Sequence, residues 1–130
     1  MKIVDMIKQI EDKEQKVLSN PFKVGILPND GGIIIGFPEA ILSFDEDGFT
    51  IYTFDGLVKL VYEGFHFKFS YDDIKEVELG KYNFKDRYMK VVFEDDKFIA
   101  FNYHEKNKKY PNQALNMAKF FDLIERLSNN

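Results

Sequence analysis

Residues 65–103 constrain the fold of this chain more than any other stretch, because short apolar runs alternate there with turn signals. The stretch begins Phe65-His66-Phe67-Lys68-Phe69, in which aromatic residues alternate with polar ones. Side chains two positions apart lie on the same face of a strand, so the three phenylalanines share one face. Three further apolar runs follow, at residues 74–79, 88–93 and 98–103. With Asp95-Asp96 as a turn between the last two, the pattern predicts four antiparallel strands with one solvated face.

Upstream of this block, turn signals separate three more predicted strands, at residues 41–44, 49–54 and 57–62. Asp55-Gly56 is a strong hairpin signal, because both central residues of the favoured turn need positive φ. The cluster Asp45-Glu46-Asp47-Gly48 resembles the start of a calcium-binding loop. Phe49 and Gly56, however, stand where such a loop needs an oxygen ligand and a bidentate glutamate, so we interpret the cluster as a turn.

An amphipathic helix is predicted at each end of the chain. Residues 3–18 place apolar residues near helical spacing, and Asn20-Pro21 is predicted to end this helix because the residue before proline avoids the helical conformation. The second helix is predicted to start at Pro111-Asn112, where the asparagine can cap free amide groups. Its apolar face comprises Met117, Phe120, Phe121, Ile124 and Leu127. We predict one domain, in which residues 1–20 form the first helix and residues 21–130 form a β-rich unit that ends in the second helix.

Residues 21–38 give a weaker signal, because they hold three of the four prolines and the run Asp30-Gly31-Gly32-Ile33-Ile34-Ile35-Gly36. A glycine pair can cradle a phosphate, but the lysine and hydroxyl of a Walker loop and the spacing of a dinucleotide site are absent. Exposed, the three isoleucines would form an aggregation-prone strand. We therefore predict a turn that leads into a short buried or edge strand.

Composition excludes several classes of function. The formal net charge of −4 argues against a general nucleic-acid binder, which needs a net basic surface. The chain has no cysteine and two histidines, so neither a disulfide nor a structural zinc site is expected. Polar residues interrupt the apolar residues of the N-terminus, so we expect no signal peptide and a cytoplasmic protein. Since no nucleophile or paired-carboxylate motif is present, no catalytic residue, cofactor or metal ligand is predicted.

About seven short antiparallel strands followed by an amphipathic C-terminal helix resemble the pleckstrin-homology superfold. The resemblance spans roughly residues 40–127, and its carriers include Tyr71-Asp72-Asp73-Ile74 with the strand behind it and the hairpin at residues 89–101. These features are similar to those of the bacterial members and the GRAM-type relatives. The resemblance implies a mainly β fold, α+β by content: a partly open antiparallel barrel with a capping C-terminal helix and here an extra N-terminal helix. It also implies binding of lipid head groups, peptides or proteins, among which the fold alone does not select.

Two basic groups are candidate binding residues. The first precedes the last helix and comprises His104, Lys106, Lys108, Lys109 and Tyr110. Its cations lie at the positive end of the helix dipole, where an anion would relieve the unfavourable charge. The second, weaker group comprises Lys81, Lys85, Arg87 and Lys90, which alternate with aromatic residues able to stack on a ligand. Both groups are also compatible with an ordinary solvated surface.

The sequence supports three hypotheses on function. The first is a non-enzymatic interaction domain that recognises a protein or peptide through an exposed strand edge, an apolar groove or the N-terminal helix. The second is a small-ligand-binding barrel, or an enzyme, with a cavity lined by some of the fourteen phenylalanines and seven tyrosines. The third is weak binding of an anionic lipid or a phosphate. The N-terminal helix or an edge strand also offers a surface for self-association.

Overall fold

Strands and helices form where the apolar pattern has a period of two or about 3.6 residues. The computed structural model describes residues 1–27, 32–34, 39–56, 58–81, 87–104 and 106–128. In chain order the elements are α1 (Ile3–Glu14), β1 (Phe22–Ile26), β2 (Glu39–Phe44), β3 (Gly48–Phe54), β4 (His66–Ser70), a 3-10 helix (Tyr71–Asp73), β5 (Ile74–Lys81), β6 (Arg87–Phe93), β7 (Phe98–Tyr103) and α2 (Asn112–Ser128).

The seven described strands form one antiparallel sheet in the order β4-β3-β2-β1-β7-β6-β5. β1 lies in the middle and changes partner along its length. Residues Phe22 to Gly25 pair with β2, whereas Gly25 and Ile26 pair with β7. The predicted mainly β, α+β fold with a C-terminal helix is confirmed, and the sheet is open, with β4 and β5 as its two edges.

One predicted strand is wrong and another strand was missed. Leu57 lies outside the described residues, and residues 58–62 contribute only an isolated bridge between Val61 and Asp55. The reason is a helix side chain: Gln9 of α1 donates to the Leu60 carbonyl and accepts from the Tyr62 amide, both at 3.0 Å. These bonds satisfy backbone groups that a neighbouring strand would otherwise satisfy. The strand that the sequence analysis missed is β1, in which alternate residues are buried.

The main core lies between α2 and the sheet face that α2 covers, here called the inner face. Phe120 of α2 is fully buried there, with its ring centroid 5.1 Å from that of Phe44 and 5.4 Å from that of Phe49. Phe22 lies 5.7 Å from the same ring. Aromatic pairs at such separations stabilise a core beyond the area they bury. The aromatic residues between α2 and β1–β3 thus pack as a continuous set of rings.

A second core lies on the opposite, outer face of the sheet, under α1. Ile3, Met6, Ile7 and Ile10 of α1 pack there against a cluster that includes Ile41, Tyr52, Phe54 and Tyr62. Leu42, next to Ile41, belongs instead to the main core. Successive residues of a strand point to opposite faces, so β2 is apolar along its length because both of its faces are covered. The prediction of an amphipathic N-terminal helix is confirmed.

α1 ends at Glu14, six residues before the boundary predicted at Asn20. Gln15 adopts the left-handed conformation with φ 55° and ψ 48°, which ends the helix. Farther on, the Ser19 carbonyl accepts hydrogen bonds from the Phe44 amide at 3.1 Å and from Ser43 Oγ at 2.6 Å. The chain after Gln15 therefore bonds to β2, and those contacts outweigh the helical pattern of residues 15–18.

The glycine-isoleucine run is described only at residues 32–34. Ile34 is buried in the main core, and the Ile33 amide donates to the Phe98 carbonyl of β7 at 2.8 Å. Burial is thus confirmed for Ile34, but residues 33 and 34 form a bend, so the predicted short strand is wrong at these positions. The remainder of the run, Asp30-Gly31 and Ile35-Gly36, lies outside the described residues.

Two predicted turns are confirmed. The Asp45 carboxylate accepts from the amides of Asp47 at 2.8 Å and Gly48 at 3.0 Å, which closes the β2–β3 connection. Asp96, with φ 67°, lies between β6 and β7. The acidic cluster that resembles a calcium loop is thus a turn, and the described residues contain no group of three or more metal-binding side chains.

Candidate functional site

β5 is an edge strand, and among the described strands it pairs only with β6. Its register places Val77 opposite Val91, Leu79 opposite Met89 and Lys81 opposite Arg87. Val91 and Met89 are buried in the main core, so the odd-numbered β5 residues from Val77 to Lys81 belong to the inner face. The side chains of these β5 residues therefore lie on the sheet face that α2 covers.

A groove of about 380 Å³ lies between β5 and α2. Val77 and Leu79 line it on the strand side, and Phe121 and Ile124 line it on the helix side. Ile124 is buried and Phe121 is half-buried, but Leu79 is 56% exposed. The Phe121 ring packs on Tyr103 at the base of the groove, with 4.7 Å between centroids. An apolar side chain thus stays exposed beside a strand edge that pairs with no other described strand.

The structure divides the second predicted basic group. Lys81 and Arg87 are opposite each other in the β5–β6 pair and both line the groove. Lys90 belongs to the outer face, where its Nζ lies 4.5 Å from the centre of the Phe98 ring. Lys85 lies outside the described residues. Two of the four predicted residues therefore meet at this groove, and a third lies on the other side of the sheet.

The first predicted group lies between β7 and the start of α2. His104, Lys106, Lys108 and Lys109 are exposed. Tyr110 differs, since its hydroxyl donates to the Pro21 carbonyl at 2.7 Å and accepts from Asn116 Nδ2 at 3.3 Å. Burial raises the pKa of the Tyr110 phenol. This tyrosine ties the loop to the start of β1, so its hydroxyl already has partners.

A cleft of about 300 Å³ beside the first group has mixed charge. His104 and Lys106 line it together with Lys23 and Glu39, whose side chains form an ion pair of 3.1 Å. Gln113 of α2 lies at the same place, accepting from the Lys23 amide at 2.8 Å and donating to the Lys23 carbonyl at 2.9 Å. Gln113 thus replaces a strand partner for this part of β1. The carboxylate of Glu39 makes the cleft less favourable for an anion.

His66, which the sequence left without a role, belongs to a small network on the outer face. Its Nδ1 lies 3.0 Å from the Gly64 carbonyl and 3.1 Å from the Tyr62 hydroxyl, which in turn donates to Glu14 at 3.1 Å. Burial, together with the hydrogen bond to Glu14, raises the pKa of the Tyr62 phenol, so it stays protonated. The network links the end of α1 to the start of β4.

Sequence reasoning missed Leu79 as a site residue. The two-residue period of Val77 and Leu79 was visible and placed both on a strand. Whether Leu79 is covered depends on the position of α2 relative to β5, for which the sequence has no local signal.

Comparisons with known proteins bear on the fold. A protein-family model described as the TP0260 family, third domain, matches residues 44–117. This is more than half of the chain, from the end of β2 into α2. No curated protein matches. Seven chains of solved structures match, among them the hSac2 domain from the human phosphoinositide phosphatase Sac2. That match has a TM-score of 0.52 and 12% identity, and it covers 95% of this chain and 82% of the other.

Proposed function

The chain belongs to the TP0260 family, and we propose that it is a non-enzymatic recognition domain that binds an extended segment of another protein along β5. The observation that carries the proposal is Leu79, which is 56% exposed on a strand that forms an edge among the described strands, beside a groove that Phe121 and Ile124 also line. An added strand would bond to the free backbone groups of β5, and its inward side chains would cover Leu79. An exposed leucine beside the backbone groups of an edge strand favours association, and a bound segment would cover it.

We also propose that the fold is of the pleckstrin-homology type. The proposal is supported by the antiparallel strand order, with the C-terminal helix packed on the inner face. The name of the human protein refers to phosphoinositides, but at 12% identity its domain supports the fold only. Neither described helix combines the length and the apolar character that a bilayer crossing requires.

A cavity for a small ligand has less support. The rings of Phe22, Phe44, Phe49 and Phe120 have centroid separations of 5.1–6.3 Å and fill the inner face near β1–β3. Four clefts among the described residues are lined in part by exposed residues and open to solvent. The aromatic residues thus act as core, which favours recognition at the surface.

Peptide selection tests the proposal. A library of random peptides displayed on phage is selected against the full chain, and recovered peptides are synthesised with a fluorophore for anisotropy titrations. We expect Leu79→Lys to weaken binding by about tenfold or more, because a buried contact at the centre of an interface dominates its affinity.

Leu115→Lys is the matched control, since Leu115 is 52% exposed and lies on α2 in a different groove. Peptides should bind this variant as they bind the wild-type chain. Failure to recover any binding peptide, or equal losses in the two variants, would contradict the proposal.

A further inference from the structure

We infer that the segment bound along β5 has basic residues at alternate positions, with apolar residues between them. The inference rests on the proposed function and adds the chemistry of the partner. Its basis is the charge of β5 on the face that points away from α2.

Glu76 and Glu78 lie on the outer face of β5, and both are exposed, as is Lys75 at the register shift between Ile74 and Glu76. At Gly80, the next outer position, the ring of Tyr88 covers the strand, since a Cβ there would lie 2.5 Å from Tyr88 Cε1. Between Lys75 and Gly80, the outer side of this strand therefore presents the two carboxylates.

Neither carboxylate forms an ion pair within the described part of the protein, although Asp96 and, more weakly, Glu76 raise the pKa of the Lys75 ammonium group. The ion pairs found there join Lys23 to Glu39 and Lys75 to Asp96. Lys90 stands directly opposite Glu78, but its ammonium group lies over the Phe98 ring. Two carboxylates thus remain two positions apart on the outer face of β5, without an ion-pair partner among the described residues.

The geometry of an added strand determines which of its residues face the two carboxylates. In an antiparallel added strand, the residues opposite Glu78 and Glu76 are two positions apart, and the residue between them lies opposite Val77. The first two point outward to the carboxylates, while the third points inward to the groove with Val77 and Leu79. Lysine or arginine suits the outer positions, and an aliphatic residue suits the inner one. Lys81 and Arg87 belong to the inner face and do not oppose the outer positions.

The same geometry disfavours a second copy of this chain. Antiparallel pairing of two β5 strands that sets Val77 against Leu79 places the two Glu78 side chains directly opposite each other. Like charges in that position are destabilising. The carboxylates thus select a basic partner and oppose edge-to-edge association.

Three labelled synthetic peptides of about eight residues, the length of an ordinary strand, test the inference. Valine alternates with lysine in the first, with threonine in the second and with glutamate in the third. Anisotropy titrations with the full chain should give the tightest binding for the lysine peptide and the weakest for the glutamate peptide. Two opposite-charge pairs correspond to about two- to thirty-fold in affinity between the lysine and threonine peptides.

The variant with Glu76→Lys and Glu78→Lys should reverse the order of the lysine and glutamate peptides. The control variant carries Asp12→Lys and Glu63→Lys, which change the net charge equally at exposed positions on α1 and before β4. It should keep the wild-type order, which excludes a general effect of net charge. The preference should also shrink at high salt, because the paired groups are exposed.

Each other outcome overturns the inference. If all three peptides bind equally and lose affinity with Leu79→Lys, the edge binds strands without regard to charge, and the proposed function stands alone. If none binds, or Leu79→Lys changes nothing, the proposed function fails as well. If sedimentation shows a dimer that Leu79→Lys dissociates, the edge takes a second copy of the chain.

Discussion

The two edges of the sheet are covered to different degrees, although one 3-10 turn joins them. At the β4 edge, Phe69 stacks on Phe93 with 4.9 Å between centroids and 10° between planes, and it lies 5.1 Å from Phe49. At the β5 edge, Leu79 lines an open groove. The Phe69 ring thus packs against residues of β3 and β6, whereas the Leu79 side chain stays exposed.

The difference extends to α2. Phe120 faces the packed rings of β1–β3, while its neighbour Phe121 contacts Tyr103 beside the groove. One side of the interior is thus closely packed, whereas the other leaves apolar surface exposed. Substitutions on the two sides should therefore differ in their cost to folding.

The largest expected effect is at Phe120. Phe120→Ala should lower the free energy of unfolding by about 3–5 kcal/mol, because it removes a fully buried ring and leaves a cavity. Phe121→Ala should cost about 1–2 kcal/mol, since that ring is only half-buried. Urea titrations of both variants measure the difference. Equal costs would mean that the interior is packed alike on both sides.

Phe120 and Phe121 show how much of the packing can be predicted from the sequence. The helical period of the sequence placed both residues on one apolar face, but their unequal burial depends on how α2 crosses the sheet. The strands at residues 74–79, 88–93 and 98–103 were predicted because their alternation is local, and they match β5, β6 and β7 closely. β1 was missed despite the alternation of Phe22, Val24 and Ile26, because residues 21–38 hold three of the four prolines and were interpreted as a turn before a strand.

The candidate site was less predictable than the fold. Lys81 and Arg87 were named from sequence, yet Leu79 and the groove arise from contacts between elements far apart in the chain. Two glutamines, Gln9 and Gln113, likewise act as partners for backbone groups of distant segments. Side chains that replace a strand partner leave no periodic signal, which explains the wrong strand at residues 57–62.

A second pair of substitutions compares the edges themselves. Phe69→Ala should cost about 2 kcal/mol, because the half-buried ring contacts both Phe49 and Phe93. Leu79→Ala should change stability by about 0.5 kcal/mol or less, as is usual for an exposed position. Thermal unfolding followed by circular dichroism measures both. A larger loss at Leu79 would show that the groove is covered in solution.

The 3-10 helix between β4 and β5 should make the stability of the protein sensitive to alkaline pH. Burial, reinforced by the charges of Asp45 and Asp47, raises the pKa of the Tyr71 phenol above its ordinary value of about 10. The unfolded chain releases this proton first, so the stabilising contribution is complete below about pH 10 and is lost as the pH rises further. The urea midpoint should therefore fall above that pH.

Tyr71→Phe should make this alkaline fall shallower, with Tyr62 and Tyr110 supplying the remainder because their pKa values are also raised. At neutral pH the same variant should lose about 1 kcal/mol, because the Tyr71 hydroxyl donates to the Asp45 carbonyl at 2.8 Å. If the urea midpoint of Tyr71→Phe fell with pH as steeply as that of the wild-type chain, Tyr71 would not be protected from solvent in the 3-10 helix.

The smallest expected effect on folding is that of Leu79→Lys, which should shift the free energy of unfolding by no more than about 0.5 kcal/mol. The long side chain can reach water from a groove that is already open. Urea titration beside Leu115→Lys checks this value. A loss of several kcal/mol would show that Leu79 belongs to the core and would remove the contrast between the edges.

Amide hydrogen exchange of the full chain, with and without a peptide selected by phage display, tests recognition along β5 most directly. We expect slower exchange in β5 and in the α2 turns that carry Phe121 and Ile124, with β4 unchanged. Slower exchange in β4 or α1, with β5 unaffected, would contradict it.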